Sequence, residues 1–124
     1  MGATVPTSEE PPKPTIFSKI IDKTIPAKLI YEDEHCVAFH DANPQAPVHF
    51  LLVPRKIITG LSAVKDEDKM LLGHMMTVVD KVAREQRLDS GYRVVINNGP
   101  QGCQSVYHLH LHVLGGRQLG WPPC

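Results

Sequence analysis

The spacing of apolar residues along the chain predicts two helices and several short strands. Thr15 is a suitable N-cap for a short helix that stops before Pro26, in which Ile16, Phe17, Ile20 and Ile21 recur at helical spacing. A longer apolar stripe over residues 66–88 predicts an amphipathic helix, which Gly91 ends as the C′ residue. The stripe is wide enough to suggest that a second copy of the chain packs on it. Short apolar runs bounded by turn residues predict strands at 29–31, 36–40, 48–53 and 92–97, the first two forming a hairpin.

The sharpest alternation lies near the C-terminus, in Val106-Tyr-His-Leu-His-Leu-His-Val-Leu114. Strict alternation over this length is typical of a half-buried strand. Because side chains alternate between the faces of a strand, His108, His110 and His112 are predicted to share one face. The intervening apolar residues would dock on the core. The segment thus presents a row of imidazoles to a cavity or to solvent.

Three interpretations of this row follow from the residues alone. It could be a polar strand face without chemistry, although buried polar groups need partners. It could bind zinc, but the outer two Cα atoms of the row lie about 13 Å apart in a strand. One tetrahedral ion would therefore take two of these histidines and an outside ligand such as His49 or Cys103. The third interpretation is nucleophilic catalysis, for which neutral imidazole is well suited near pH 7.

Composition narrows the class of protein. The 124 residues suffice for one domain, predicted over residues 15–124, after a proline-rich and disordered tail at 1–14. Basic and acidic residues balance to a net charge of zero, which argues against nucleic acid as a partner. No apolar run is long enough for a membrane span, and no signal peptide is evident. We therefore expect a cytoplasmic protein, small enough to enter the nucleus by diffusion, with its three cysteines reduced.

The glycine-containing loop before the histidines, residues 98–105, lacks the Lys-Ser/Thr pair of a phosphate-binding P-loop. Its glycines allow backbone N–H groups to turn inward, so we predict an anion-binding nest there. Ser105 adds a hydroxyl close to His108.

The histidine segment and several other stretches of the sequence resemble a known family. His108-Leu-His-Leu-His112 resembles the motif of the histidine triad (HIT) nucleotide hydrolases and transferases. Further stretches are similar to its Hint branch, the histidine triad nucleotide-binding phosphoramidases: Ile25-Pro-Ala-Lys28, Ala38-Phe-His-Asp41, Pro44-Gln-Ala-Pro-Val-His49, Gly102-Cys-Gln-Ser105 and Trp121-Pro-Pro123. The resemblance implies an α+β fold: a five-stranded antiparallel sheet with one short and one long helix, extended across a homodimer.

The same resemblance implies a reaction and a set of site residues. The reaction is hydrolysis of the P–N bond between AMP and an amine, with neither metal nor cofactor. His110 would be the nucleophile, and His112 would help to protonate the leaving group. His108 and His49 would orient neighbouring imidazoles, and Ser105 would hold phosphate. The purine nucleotide would contact these and a wider set: Ile16, Phe17, Ile20, Phe39, Asp41, Ala42, Leu51, Asn97, Cys103, Gln104, His110 and His112.

One site residue departs from the family pattern. Ala42 stands where a larger apolar residue is expected, which would leave more room around the base. Two other functions stay open beside the hydrolase: a zinc-binding module, and a scaffold that binds nucleotide without catalysis.

Overall fold

The computed structural model describes residues 5–6 and 12–124. The predicted tail therefore lies largely outside the described residues. A five-stranded antiparallel sheet has the order β1-β2-β3-β5-β4. Its strands are β1 (Leu29–Glu32), β2 (Cys36–His40), β3 (Val48–Pro54), β4 (Tyr92–Val95) and β5 (Leu111–Gly115). The helices are α1 (Ile16–Ile21) and α2 (Lys69–Glu85), so the predicted α+β fold is confirmed.

The sheet has a core on each face. Helix α2 covers one face, where its stripe packs on strand residues such as Phe50, Leu52 and Val113. The short helix α1 covers the other face, and its Phe17 packs with a smaller cluster: Val37, Phe39, Leu51 and Val53. Alternating strand residues supply the two clusters, as the period of a strand requires. Among the described residues, no helix is long and apolar enough to cross a membrane.

Both helices begin near the predicted positions, but α2 ends differently. Thr15 caps α1 in a capping box with Ser18, as the sequence predicts for the N-cap. Residues Asp66–Asp68 form a 3₁₀ turn before α2. At the other end, Arg87 has a φ of 63° and occupies the left-handed C′ position predicted for Gly91. The N–H of Leu88 donates to the carbonyl of Ala83, which completes a Schellman motif.

The predicted strand over 106–114 is wrong in its first half. Strand β5 begins at Leu111, and its ladder with β3 starts at the Leu52–Leu111 pair. The ladder stops there because Pro54 has no N–H to donate, and the N–H of Leu109 donates to the carbonyl of Ile58 instead (2.6 Å). His108, Leu109 and His110 are consequently all buried, so the expected alternation of buried and exposed faces is absent here.

Candidate active site

A pocket of about 480 Å³ opens on the α1 face of the sheet. One wall is apolar and comes from α1 and the end of β2, and the opposite wall carries polar groups from the histidine segment. Nine of the predicted site residues line it: Ile16, Phe17, Ile20, Phe39, Asp41, Ala42, Ser105, His110 and His112. The volume lies in the range typical of small-molecule sites.

Four lining residues were not predicted: Ala27, Lys28, His40 and Val106. Ala27 and Lys28 belong to Ile25-Pro-Ala-Lys28, and His40 belongs to Ala38-Phe-His-Asp41. Both stretches carry the family resemblance, so the sequence contained a signal that could have identified these three residues. Lys28 is exposed and adds a cation to the rim of the pocket.

The ring of His110 is held in one orientation. Its Nδ1 lies 2.7 Å from the carbonyl oxygen of His108. A carbonyl only accepts, so Nδ1 carries the proton and Nε2 keeps its lone pair. Phe17 contacts the same ring edge-to-face, with 4.8 Å between ring centroids. The arrangement therefore presents a neutral imidazole with one free basic nitrogen, the form that a nucleophile requires.

His108 orients its neighbour through the backbone and not through its imidazole. Its side chain is fully buried and turns away, with Nε2 donating to the carbonyl of Pro54 (2.8 Å). Its Nδ1 is buried without a hydrogen-bond partner among the described residues. The prediction that the His108 imidazole orients a neighbouring imidazole is therefore wrong for His110. The ring instead ties the histidine segment to β3.

A second series of hydrogen bonds fixes the tautomer of His112. The backbone N–H of Gln45 donates to Nδ1 of His49 (3.0 Å), so a neutral His49 carries its proton on Nε2. That Nε2 lies 2.9 Å from Nδ1 of His112 and donates to it. His112 is then protonated on Nε2. His110 and His112, with ring centroids 5.0 Å apart, thus offer a base and a proton donor side by side.

Asp41 adds negative charge behind this pair. Its Oδ2 lies 3.4 Å from Nε2 of His49 and 4.0 Å from Nδ1 of His112, while Oδ1 accepts from the N–H of Asn43. These three side chains also form a group of potential metal ligands, with donor atoms within 4.8 Å of one another. A carboxylate and two imidazoles are ligands that zinc accepts.

Burial keeps all four imidazoles neutral near pH 7. Desolvation lowers the pKa of His49, His108 and His110 below the usual 6.5. Burial, followed by the neighbouring imidazoles of His110 and His49, lowers the pKa of His112 to about 4. The nearby Asp41 carboxylate opposes this effect at His49, His110 and His112 without reversing it.

The loop before the histidines differs from the predicted nest. The N–H groups of Cys103 and Gln104 donate to the carbonyls of Pro100 and Gly99, so they close a 3₁₀ turn and do not turn toward the pocket. The buried Gln104 side chain and Asn97 hold the loop by hydrogen bonds to its backbone. Of the predicted phosphate-binding residues in this loop, Ser105 lines the pocket. Leu51 lies buried beneath the site, paired with His112 in the ladder.

Comparison with known proteins agrees with this geometry. Residues 22–119 match the HIT domain family. The chain is 54% identical over 112 residues to a 14 kDa zinc-binding protein of Zea mays, with 89% of this chain and 88% of the relative covered. A HIT family hydrolase from Legionella pneumophila superposes with a TM-score of 0.85 at 44% identity, covering 88% of this chain and 98% of that one.

A more distant solved structure has the same fold. A histidine triad nucleotide-binding protein from Candida albicans has a TM-score of 0.73 at 32% identity, covering 86% of this chain and 82% of that one. The family match spans most of the chain and includes all three histidines of the motif. The chain therefore belongs to the HIT domain family.

Proposed function

We propose that this protein hydrolyses the P–N bond of purine nucleoside phosphoramidates, releasing AMP and an amine through a nucleotidyl intermediate on His110. This finer assignment corresponds to the Hint branch of the family. At a coarser level, the solved HIT family hydrolase with a TM-score of 0.85 supports a nucleotide hydrolase. The reaction needs a nucleophile, a donor for the leaving nitrogen, donors for phosphoryl oxygen and a pocket for the nucleoside.

The observation that carries the proposal is the tautomer of His110. Because Nδ1 donates to the His108 carbonyl, the Nε2 lone pair is free to attack phosphorus. The His110–P bond forms as the P–N bond breaks. The departing amine takes up one proton from water, because the neutral His112 is too weak an acid to supply it; the Nε2–H of His112 instead holds the phosphoryl oxygen beside the breaking bond. The hydroxide left by this transfer then cleaves the His110–P bond, which yields AMP and frees His110.

The rest of the pocket suits a nucleoside monophosphate. Phe17 and Phe39 meet edge-to-face at 5.6 Å and, with Ile16 and Ile20, offer an apolar wall for the base. The Asp41 carboxylate lies at the pocket and can accept two hydrogen bonds from ribose hydroxyls. The Ser105 hydroxyl and the His112 Nε2–H are the donors we assign to the phosphoryl oxygens, a role that stabilises developing charge.

The test is hydrolysis of an AMP-linked amine with a fluorescent leaving group, in excess EDTA. We expect amine release by the wild-type chain and its loss in His110→Ala. His35→Ala, which removes an exposed histidine outside the pocket, is the matched control and should remain active. Quenching a rapid reaction with alkali, in which a His–P bond survives, should trap one adenylyl group on the protein, absent in His110→Ala. Undiminished turnover in His110→Ala would refute the nucleophile assignment.

Zinc binding is a second candidate function, favoured by the Asp41, His49 and His112 group. The name of the Zea mays relative points the same way. The two functions exclude each other at this site, because an ion bound to Nδ1 of His112 and Nε2 of His49 would break the bond that sets the tautomer of His112. The hydrolase proposal therefore predicts that added zinc inhibits turnover and that EDTA restores it. Turnover that requires zinc would favour the metal centre instead.

A further inference from the structure

A second group of metal-ligating side chains lies outside the pocket, on the α2 face of the sheet. Asp33 is in the turn between β1 and β2, Cys36 is the first residue of β2, and His74 is on α2. Their donor atoms lie within 4.8 Å of one another. This group involves no residue of the candidate active site. We propose that Asp33, Cys36 and His74 form a site for a divalent transition-metal ion of the zinc type.

The distances require little movement on metal binding. Nε2 of His74 lies 2.7 Å from Oδ2 of Asp33, and Sγ of Cys36 lies 3.6 Å from Oδ1. In a tetrahedral zinc site with bonds of about 2.0–2.3 Å, ligand atoms are roughly 3.3–3.8 Å apart. The imidazole and carboxylate would move apart by about half an ångström to admit the ion. The thiol is at a suitable distance from Oδ1, the other oxygen of the same carboxylate, so the ion would contact both carboxylate oxygens.

The proposed metal site is closed on the side of Cys36 and open to solvent on the side of His74 and Asp33. Cys36 is fully buried, whereas the side chains of His74 and Asp33 are 35% and 22% exposed, so an ion can approach from their side. The centroid of the exposed His35 ring lies 5.1 Å from that of His74, and water can fill the fourth coordination position. A thiolate with an imidazole is a ligand pair that favours zinc over magnesium or calcium.

The second coordination layer is already in place. The N–H groups of His35 and Cys36 donate to Oδ1 of Asp33, at 2.7 and 2.9 Å, and the Tyr31 hydroxyl donates to Oδ2 at 2.8 Å. Such partners fix the orientation of a ligating carboxylate. Binding of the ion breaks the Cys36 S–H bond and releases one proton, while the His74 proton moves from Nε2 to Nδ1. The ion would then join the β1–β2 turn to α2.

Cobalt(II) is the most direct probe, because a thiolate ligand gives it a charge-transfer band in the near ultraviolet. The background is full-length protein carrying Cys103→Ser, Cys124→Ser and His112→Ala, which leaves Cys36 as the single thiol and removes the other ligand group. We expect the band to saturate at one cobalt per chain and zinc to displace it. His74→Ala should weaken cobalt binding by at least ~10–100-fold.

Two variants sharpen the result. Cys36→Ser should abolish the band, and Thr77→Ala, one turn along α2 from His74, should leave it unchanged. Because Cys36→Ser alters the core, His74→Ala on the half-exposed helix face is the decisive variant. The absence of a thiolate band at millimolar cobalt, or an undiminished band in His74→Ala, would overturn the proposal and leave the group as a hydrogen-bonded clamp. Hydrolysis by His74→Ala in an otherwise wild-type chain tests the proposed function separately and should persist.

Discussion

Two neighbouring histidines of one segment are given opposite roles by their hydrogen-bond partners. A carbonyl acceptor at Nδ1 leaves His110 basic at Nε2, whereas a donor at Nδ1 leaves His112 a proton donor at Nε2. The chemistry of the pair is therefore fixed by residues outside the motif. His49 on β3 and the Gln45 N–H before it are as important to the tautomer of His112 as the alternation itself.

Removing His49 tests this tautomer assignment. In His49→Ala, Nδ1 of His112 loses its donor, so the proton is free to move from Nε2 to Nδ1. We expect kcat to fall ~10–100-fold with little change in KM, a size typical for partners that orient a reacting group. His49→Gln can still donate a side-chain N–H to His112 and should recover part of the loss. Steady-state kinetics with the fluorescent substrate measures kcat and KM for both variants. A loss that appears only as a higher KM, with kcat unchanged, would contradict the assignment.

The lowered histidine pKa values predict how activity depends on pH. His110 must be neutral to attack, and burial lowers its pKa below the usual 6.5. The acid limb of kcat/KM should consequently have its half-maximal point below pH 6.5. A profile from pH 4.5 to 8 measures this. A half-maximal point at or above pH 6.5 would show that water reaches the His110 imidazole as it reaches a free imidazole, which would contradict the prediction.

Stability should change with pH for the same reason. The folded pKa of His112 is about 4 against 6.5 in the unfolded chain. Between these values the unfolded chain binds more protons, so the free energy of unfolding falls as pH falls from about 6.5 toward 4. Urea denaturation at several pH values measures the slope. His112→Gln removes this group and should make the slope shallower, although the lowered pKa values of His49, His108 and His110 still contribute. An equally steep slope in that variant would contradict the lowered pKa of His112.

At the scale of elements, the sequence predicted most of the fold because short-range signals determine it. The Thr15 cap, the stripe of α2 and the short apolar runs of the strands all depend on residues close in the chain, and the structure has each of them. The histidine segment was predicted as one long strand because its alternation is perfect. Its first half leaves the sheet because of Pro54 and Ile58, which are distant in sequence. The predicted nest in the preceding loop likewise lacks the N–H groups of Cys103 and Gln104, since these two are used within the loop's own turn.

The end of α2 offers a test at this scale. Arg87 holds a left-handed conformation that glycine adopts without steric cost. Arg87→Gly should relieve this strain at the C′ position of the Schellman motif, partly offset by the greater freedom of glycine in the unfolded chain. We expect a net gain of about 0.5–1 kcal/mol in the free energy of unfolding. Urea denaturation measures it, and Gln86→Gly, a residue without positive φ, should destabilise as the control.

At the scale of the whole molecule, the sheet separates two tasks. The α1 face carries the pocket, and the α2 face carries the larger core. The α2 stripe is largely covered within the chain, since Met75, Val78, Val79 and Val82 are buried under the sheet. Its width is therefore a weaker argument for a second copy than the sequence suggested. Strand β4 is the better candidate for contact between copies, because it is an edge of the sheet and its residues are only half-buried.

We predict that two chains join through β4 into one continuous sheet, because an edge strand leaves backbone donors and acceptors free to pair. Val95→Lys would place a lysine on this edge in both copies, and an edge lysine opposes pairing between strands. Light scattering during gel filtration should give twice 13.8 kDa for the wild type, and less for this variant. Glu32→Lys, which places a lysine on the opposite edge strand β1, should keep the dimer mass. The thermal midpoint of the wild type should also rise with protein concentration, as it does when folding and association are linked. A single-chain mass at micromolar concentration, with a midpoint independent of concentration, would exclude the dimer.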